Sequence, residues 1–143
     1  MADKGWSEGI MHRRAVNLPD TLGATRLPIS SAIVARDFVF TAGHVGWVPE
    51  TREAPAAIEA QTAQTLENLK AVLEAAGTSL EHVVKVTVFL TNINDFAAMN
   101  QVYRRYFQDN PPARTTVGVA ALARPDLLIE IEMVALLPEG GAP

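Results

Sequence analysis

Between Pro55 and Ala76 the residues Ile58, Thr62, Leu66, Leu69, Leu73 and Ala76 recur three or four apart, which places them on one face of a helix. Gly77 then supplies a C-terminal cap, and the period falls to two in "EHVVKVTVFLTN", the pattern of a strand. Val84, Val86, Val88 and Leu90 share one face of it and Val83, Lys85, Thr87 and Phe89 the other. The cycle repeats. Asn94 is placed to cap a second helix whose stripe is Phe96, Met99, Tyr103 and Phe107, and Asn110-Pro111-Pro112 stops it. Two strands, Ala113 to Ala120 and Leu127 to Leu137, follow. Ahead of the first helix, "AIVARDFVFTAG" reads as a hairpin turning at Arg36-Asp37. Two one-sided helices among strands need a shared apolar surface, and a single sheet provides it. The expected fold is a two-layer α+β domain with both helices on one face of the sheet. Its other face, rich in Val, Leu and Phe, is then uncovered, which predicts an oligomer.

At 143 residues the chain suits one domain. Residues 1–20 show no sustained period and read as a loose arm, 21–138 as the domain and 139–143 as a tail. With no cysteine, disulfides, thiolate metal sites and cysteine nucleophiles are excluded. His12, His44 and His82 lack metal-ligand spacing, so no metal is expected. A net charge of −4 without a basic stripe argues against nucleic acid. No apolar run approaches the roughly 18 residues of a membrane span, and "MADKGWSEGIMHRR" lacks an apolar signal core. The expected location is the cytoplasm.

The closing strands raise a question of chemistry. Leu127, Ile129, Ile131, Met133, Ala135 and Leu137 form a wholly apolar face, while Glu130 and Glu132 lie opposite. In the preceding strand Arg114, Thr116, Gly118 and Ala120 share a face, with Gly118 leaving room for close approach. One reading is a half-exposed sheet with a weak Arg–Glu surface pair. The other is a site in which the arginine fork binds a carboxylate and a glutamate handles water. Alternation alone does not choose between them. Asn100, polar within an apolar stripe, is open between a structural hydrogen bond and ligand contact. His44, after a strand-ending glycine, reads as a turn or surface residue.

"PPARTTVGVAAL" followed by "IEIEMVAL" resembles the Pro-x-Arg-[Ser/Thr] and Ile-Glu-Ile-Glu strands of the YjgF/RidA family. "VFTAGHVG", "QTLENLKAVLEAAG", "VVKVTVFLTNINDFAAMN" and "VYRRYF" support the resemblance from about Leu27 to Leu137. It implies a chorismate-mutase-like fold, assembled as a homotrimeric barrel with clefts between subunits. It also implies hydrolysis of reactive enamines and imines to oxo acids and ammonia without a cofactor. By match to the motif, Arg114 would bind the substrate carboxylate and Glu130 would position or activate water. Asn100, Gly43, His44, Thr116 and Ile29 would line the cleft.

The chain departs from the family at Ile29, where a tyrosine is frequent, at Ala42, where a serine is frequent, and at Thr116, where a cysteine is frequent. The first two replace hydroxyls by apolar surface and tilt the expected substrate from small polar imino acids to longer, more hydrophobic ones. Alternatives on the same scaffold are a dedicated catabolic deaminase of the 2-aminomuconate type and a non-catalytic ligand-binding or holdase protein. Ribonuclease activity fits poorly with an acidic chain lacking a basic groove.

Overall fold

The computed structural model describes residues 13–18 and 27–138. Its elements are β1 (Arg14–Val16), β2 (Ala32–Ala35), β3 (Phe38–Thr41), β4 (His44–Val45), α1 (Ile58–Ala76), β5 (Val83–Leu90), α2 (Phe96–Tyr106), β6 (Ala113–Gly118) and β7 (Ile129–Leu136). One mixed sheet runs β1-β2-β3-β7-β5-β6, with β4 also pairing with β7. β6 lies parallel to β5, and the other printed pairings are antiparallel. Both helices pack on one face of this sheet and against each other. No helix among the described residues is long and apolar enough to cross a membrane.

The core follows the periods of the sequence. Leu66, Leu69, Val72 and Leu73 of α1 and Met99 of α2 form one cluster with Val86, Val88, Leu90, Ile129, Ile131 and Met133 of the sheet, all buried. Burying one such side chain stabilises the fold by about 1.5–3 kcal/mol. Gly77 ends α1 as expected: at φ 97° its N–H reaches the carbonyls of Glu74 and Leu73, and the Thr78 N–H also bonds Leu73 O.

Four local expectations need correction. Part of the supposed loose arm, Arg14–Val16, pairs with Val34–Ala32 as an edge strand and buries Val16; three residues are too few to display a period. Residues 1–12 and 19–20 of the arm and the 139–143 tail fall outside the described residues. In β5 the register shifts between Val83 and Lys85, so Val83 is buried and Val84 is 39% exposed. A bulge resets the alternation. Asn92, not Asn94, opens the second helical segment: its Oδ1 accepts the Asn94 N–H at 3.0 Å and starts a short 3-10 turn, Ile93–Asp95, that runs into α2. Phe96, expected in the buried stripe, is 42% exposed, and Val102 takes the core position.

Helix α1 also pins the short β4. A Cβ on Gly46 would stand 2.7 Å from the Gln61 carbonyl oxygen, so only glycine lets the chain pass this close to α1. Just beyond, Asn68 Nδ2 donates to the carbonyls of Val45 and Trp47 at 2.9 and 2.8 Å. Gln61 is wholly buried and holds the other side, donating to Pro55 O and Asp126 O at 2.7 Å and accepting the Leu128 N–H at 2.9 Å. These polar ties fix β4 and the loop before β7 around one cavity.

Candidate active site

Two clusters of site residues stand on opposite faces of the sheet. In the parallel register Arg114 lies opposite Val86 and Thr116 opposite Val88, and both valines are buried beneath the helices. Arg114 and Thr116 therefore project to the helix side, at the margin formed by β6. The Arg114 guanidinium carbon sits 4.5 Å from the Tyr103 ring centre and 5.6 Å from that of Phe96, and Nη1 reaches Met99 Sδ at 3.9 Å. An aromatic bed of this kind holds the cation without neutralising it. No carboxylate among the described residues pairs with Arg114.

Asn100 and Arg114 line one open cavity of ≈ 390 Å³ with Tyr103 and Pro112. Asn100 makes no side-chain hydrogen bond among the described residues, so the structural bond left open for it is not formed. Thr116 Oγ1 is buried with no partner. Burial pushes the Tyr103 phenol up to about 12, although the charge of Arg114 works the other way. The close approach expected at Gly118 is not made within the chain, since a Cβ there would meet Ile93 at an ordinary 3.5 Å.

Glu130 belongs to the other face. It is registered with Val45 of β4 and Phe89 of β5, and neighbouring Ile129 and Ile131 are buried under the helices. Its carboxyl group is laid against the backbone of Gly43, where a Cβ would come within 2.8 Å of the carboxyl carbon. A side chain at position 43 would therefore push the Glu130 carboxyl group out of this place. Burial first, and then the charge of Glu132, raises the Glu130 carboxyl above its ordinary value. A half-buried carboxylate with raised basicity is suited to taking a proton from water.

Glu130, Gly43, Ala42, His44 and Ile29 line a second cavity of ≈ 290 Å³. His44 is not the turn or surface residue expected. It is buried in β4, and Nε2 lies 3.1 Å from the Ser31 carbonyl oxygen, which requires Nε2 to carry the hydrogen. Burial lowers its pKa, so the ring is held neutral as a brace for the Ile29–Ser31 segment. The structure therefore joins Arg114, Thr116 and Asn100 in one group and Glu130, Gly43, His44 and Ile29 in another. It does not bring the groups together, and it removes the Arg114–Glu130 surface pair as an explanation. Sequence reasoning missed Tyr103 and Phe96 as the bed of Arg114 and Trp47 as a wall of the Glu130 cavity. Tyr103 carried only the signal of a core stripe, and Trp47 none.

With this geometry in view, the family model described as Endoribonuclease L-PSP matches residues 22–137. The chain belongs to that family, known also as YjgF/RidA. Among relatives of this Rid protein, a RutC family protein of Pyrococcus horikoshii is 50% identical over 120 residues, covering 83% of this chain and 91% of its own. Escherichia coli TdcF, which carries the provisional name of reactive intermediate deaminase, is 39% identical over 112 residues, or 76% of this chain and 86% of its own. A crystal structure of TdcF with bound serine superposes with TM-score 0.79 at 36% identity, over 86% of this chain and 98% of that one. RidA from an Antarctic Psychrobacter likewise gives TM-score 0.79 at 38% identity, over 86% and 99%. These likenesses support a deaminase-like hydrolase as the general activity.

Proposed function

We propose that this Rid protein hydrolyses 2-imino acids and their enamine tautomers to 2-oxo acids and ammonia, without a metal or organic cofactor, at sites made between copies of a cytoplasmic homotrimer. The observation that carries the reading is the separation of an unneutralised arginine fork from a basic carboxylate by the thickness of the sheet. One chain cannot close both on a single small substrate. A second copy laid on the open sheet face can bring its Arg114 margin to the Glu130 cavity. That open face supplies a reason to associate: Phe38, Phe40, Val117 and Leu136 are each about 39–45% exposed there, more apolar surface than a monomer comfortably leaves in water.

In the reaction Arg114 takes the substrate carboxylate in a two-point grip, with Asn100 and the free Thr116 hydroxyl available to polar atoms beside it. Glu130 accepts a proton from water as the water oxygen bonds to the imine carbon. Glu130 returns that proton to the nitrogen to complete the carbinolamine, which then collapses: the hydroxyl proton passes to the nitrogen, the C–N bond breaks, ammonia leaves and a carbonyl remains. Imines hydrolyse unaided, so positioning and a base contribution of about 10²–10⁴-fold suffice. The serine bound by TdcF carries the α-carboxylate and α-nitrogen that such a substrate shares.

The test is ammonia release from imines generated in situ by an amino-acid oxidase. Acceleration over the unaided rate is expected for wild type and absent for Arg114→Ala, with Arg114→Lys also severely impaired because an ammonium lacks the planar fork. Full activity in Arg114→Ala would overturn the assignment.

A further inference from the structure

The Glu130 cavity presents little for a polar side chain to hold. Asn68 commits both amide hydrogens to the carbonyls of Val45 and Trp47, and its oxygen accepts from Gln64 Nε2 at 2.9 Å. His44 is engaged with Ser31. Apart from the reacting carboxylate, the larger side chains of the remaining wall are those of Leu27, Ile29, Val45, Trp47, Pro49 and Leu127. The volume of ≈ 290 Å³ is well above the roughly 150 Å³ known to hold a benzene ring. A three-carbon imino acid leaves most of this space unfilled.

Among the described residues lining the cavity, Trp47 carries the one large aromatic ring, and it is fixed before any ligand arrives. Arg124, which does not line the cavity, places its guanidinium carbon 4.8 Å from the centre of the indole. Arg124 is itself paired with Asp126 and reaches the Arg52 carbonyl at 3.5 Å. The Asp126 carbonyl is tied to α1 through Gln61 at 2.7 Å. A stacked, braced indole loses little freedom when a second ring packs on it, which is the condition for a strong preference.

We propose that Trp47 is a specificity-determining residue, forming the wall on which the ring of an aromatic 2-imino acid packs, so that imines of the phenylalanine and tryptophan type are preferred substrates. The proposal rests on the imine-hydrolase reading and deepens it. The chemistry is unchanged: water adds to the imine carbon, ammonia leaves, and the aromatic 2-oxo acid is released. The reaction that supplies the substrate is an oxidation of aromatic amino acids that stops at the imine.

The experiment compares kcat/KM for imines of phenylalanine and alanine in wild type, Trp47→Ala and Trp47→Phe. Wild type is expected to favour the phenylalanine imine by about tenfold or more, the effect of one buried ring contact. Trp47→Ala should shrink that ratio to within about threefold and Trp47→Phe restore most of it. A binding arm uses a Trp6→Phe background, in which Trp47 is the remaining tryptophan of the two in the chain. Phenylpyruvate should quench its emission at concentrations where pyruvate does not. Turnover with a ratio near unity in wild type, or an unchanged ratio in a folded Trp47→Ala protein, overturns the proposal and leaves imine hydrolysis standing. Failure to hydrolyse any imine overturns the hydrolase reading instead, and quenching by phenylpyruvate alone then still assigns the ring to Trp47.

Discussion

Mixing Arg114→Ala subunits with Glu130→Gln subunits should restore activity that neither variant has. Arg114 is registered with Val86 on the helix side, and Glu130 with Val45 and Phe89 on the other, so no single copy can turn both groups on one substrate. Each variant alone should fall by about 10²–10⁴-fold, the usual contribution of a positioned base, with a similar loss for a missing fork. In a trimer that combines both variants, one junction joins a wild-type Arg114 to a wild-type Glu130. Random assembly of equal amounts makes roughly three quarters of trimers mixed, each with about one intact site in three, so roughly a quarter of wild-type turnover should return. The variants are unfolded together and refolded beside a wild-type sample treated identically, and ammonia release is followed after size-exclusion chromatography. Activity no greater than the sum of the separately refolded parents, in a sample that elutes as the trimer, would refute the composite site. A protein that remains monomeric would refute the assembly as well.

Thr116→Val removes a buried hydroxyl that has no partner, so it should raise stability by about 1 kcal/mol in denaturant titration while lowering turnover. Glu130 titrates above its ordinary range, so the folded form holds its proton longer than the unfolded chain. Its stabilising contribution is present at acid pH and lost as pH rises through the raised pKa, whereas turnover needs the deprotonated form and rises through the same interval. Glu130→Gln should flatten that part of the stability–pH curve and abolish turnover, while Glu132→Gln, on the exposed neighbour, should retain most activity. Gly46→Ala forces a Cβ against the Gln61 backbone and should cost about 1–3 kcal/mol, read as a lowered melting temperature.

Much of the fold was legible because burial imposes a period. The face Leu127, Ile129, Ile131, Met133 and Ala135 is buried throughout, as alternation requires, and α1 buries its expected stripe. What failed to show was whatever breaks a period or is too short to have one. The bulge before Lys85 resets the alternation, β1 and β4 have three and two residues, and the cap at Asn92 precedes a 3-10 turn instead of the helix itself. The candidate residues could be named from their motif, but their grouping could not be read. Alternation assigns Arg114 and Glu130 to faces of their own strands; only the parallel register of β5 with β6 reveals that those faces are opposite.

Three of the residues proposed for the chemistry are ones the fold leaves unsatisfied. Arg114 lies on aromatic rings without a counter-ion, Thr116 has a buried hydroxyl without a partner, and Glu130 is desolvated beside a second carboxylate. Each costs the isolated chain free energy that a closer-packed alternative would avoid. By contrast, Gln61 makes three hydrogen bonds, Asn68 donates twice and His44 Nε2 meets Ser31. In the proposed trimer a copy docked on the open face of the sheet would bring two incomplete halves together, so that a carboxylate-bearing imine would meet the arginine that lacks a partner and the glutamate that favours a proton.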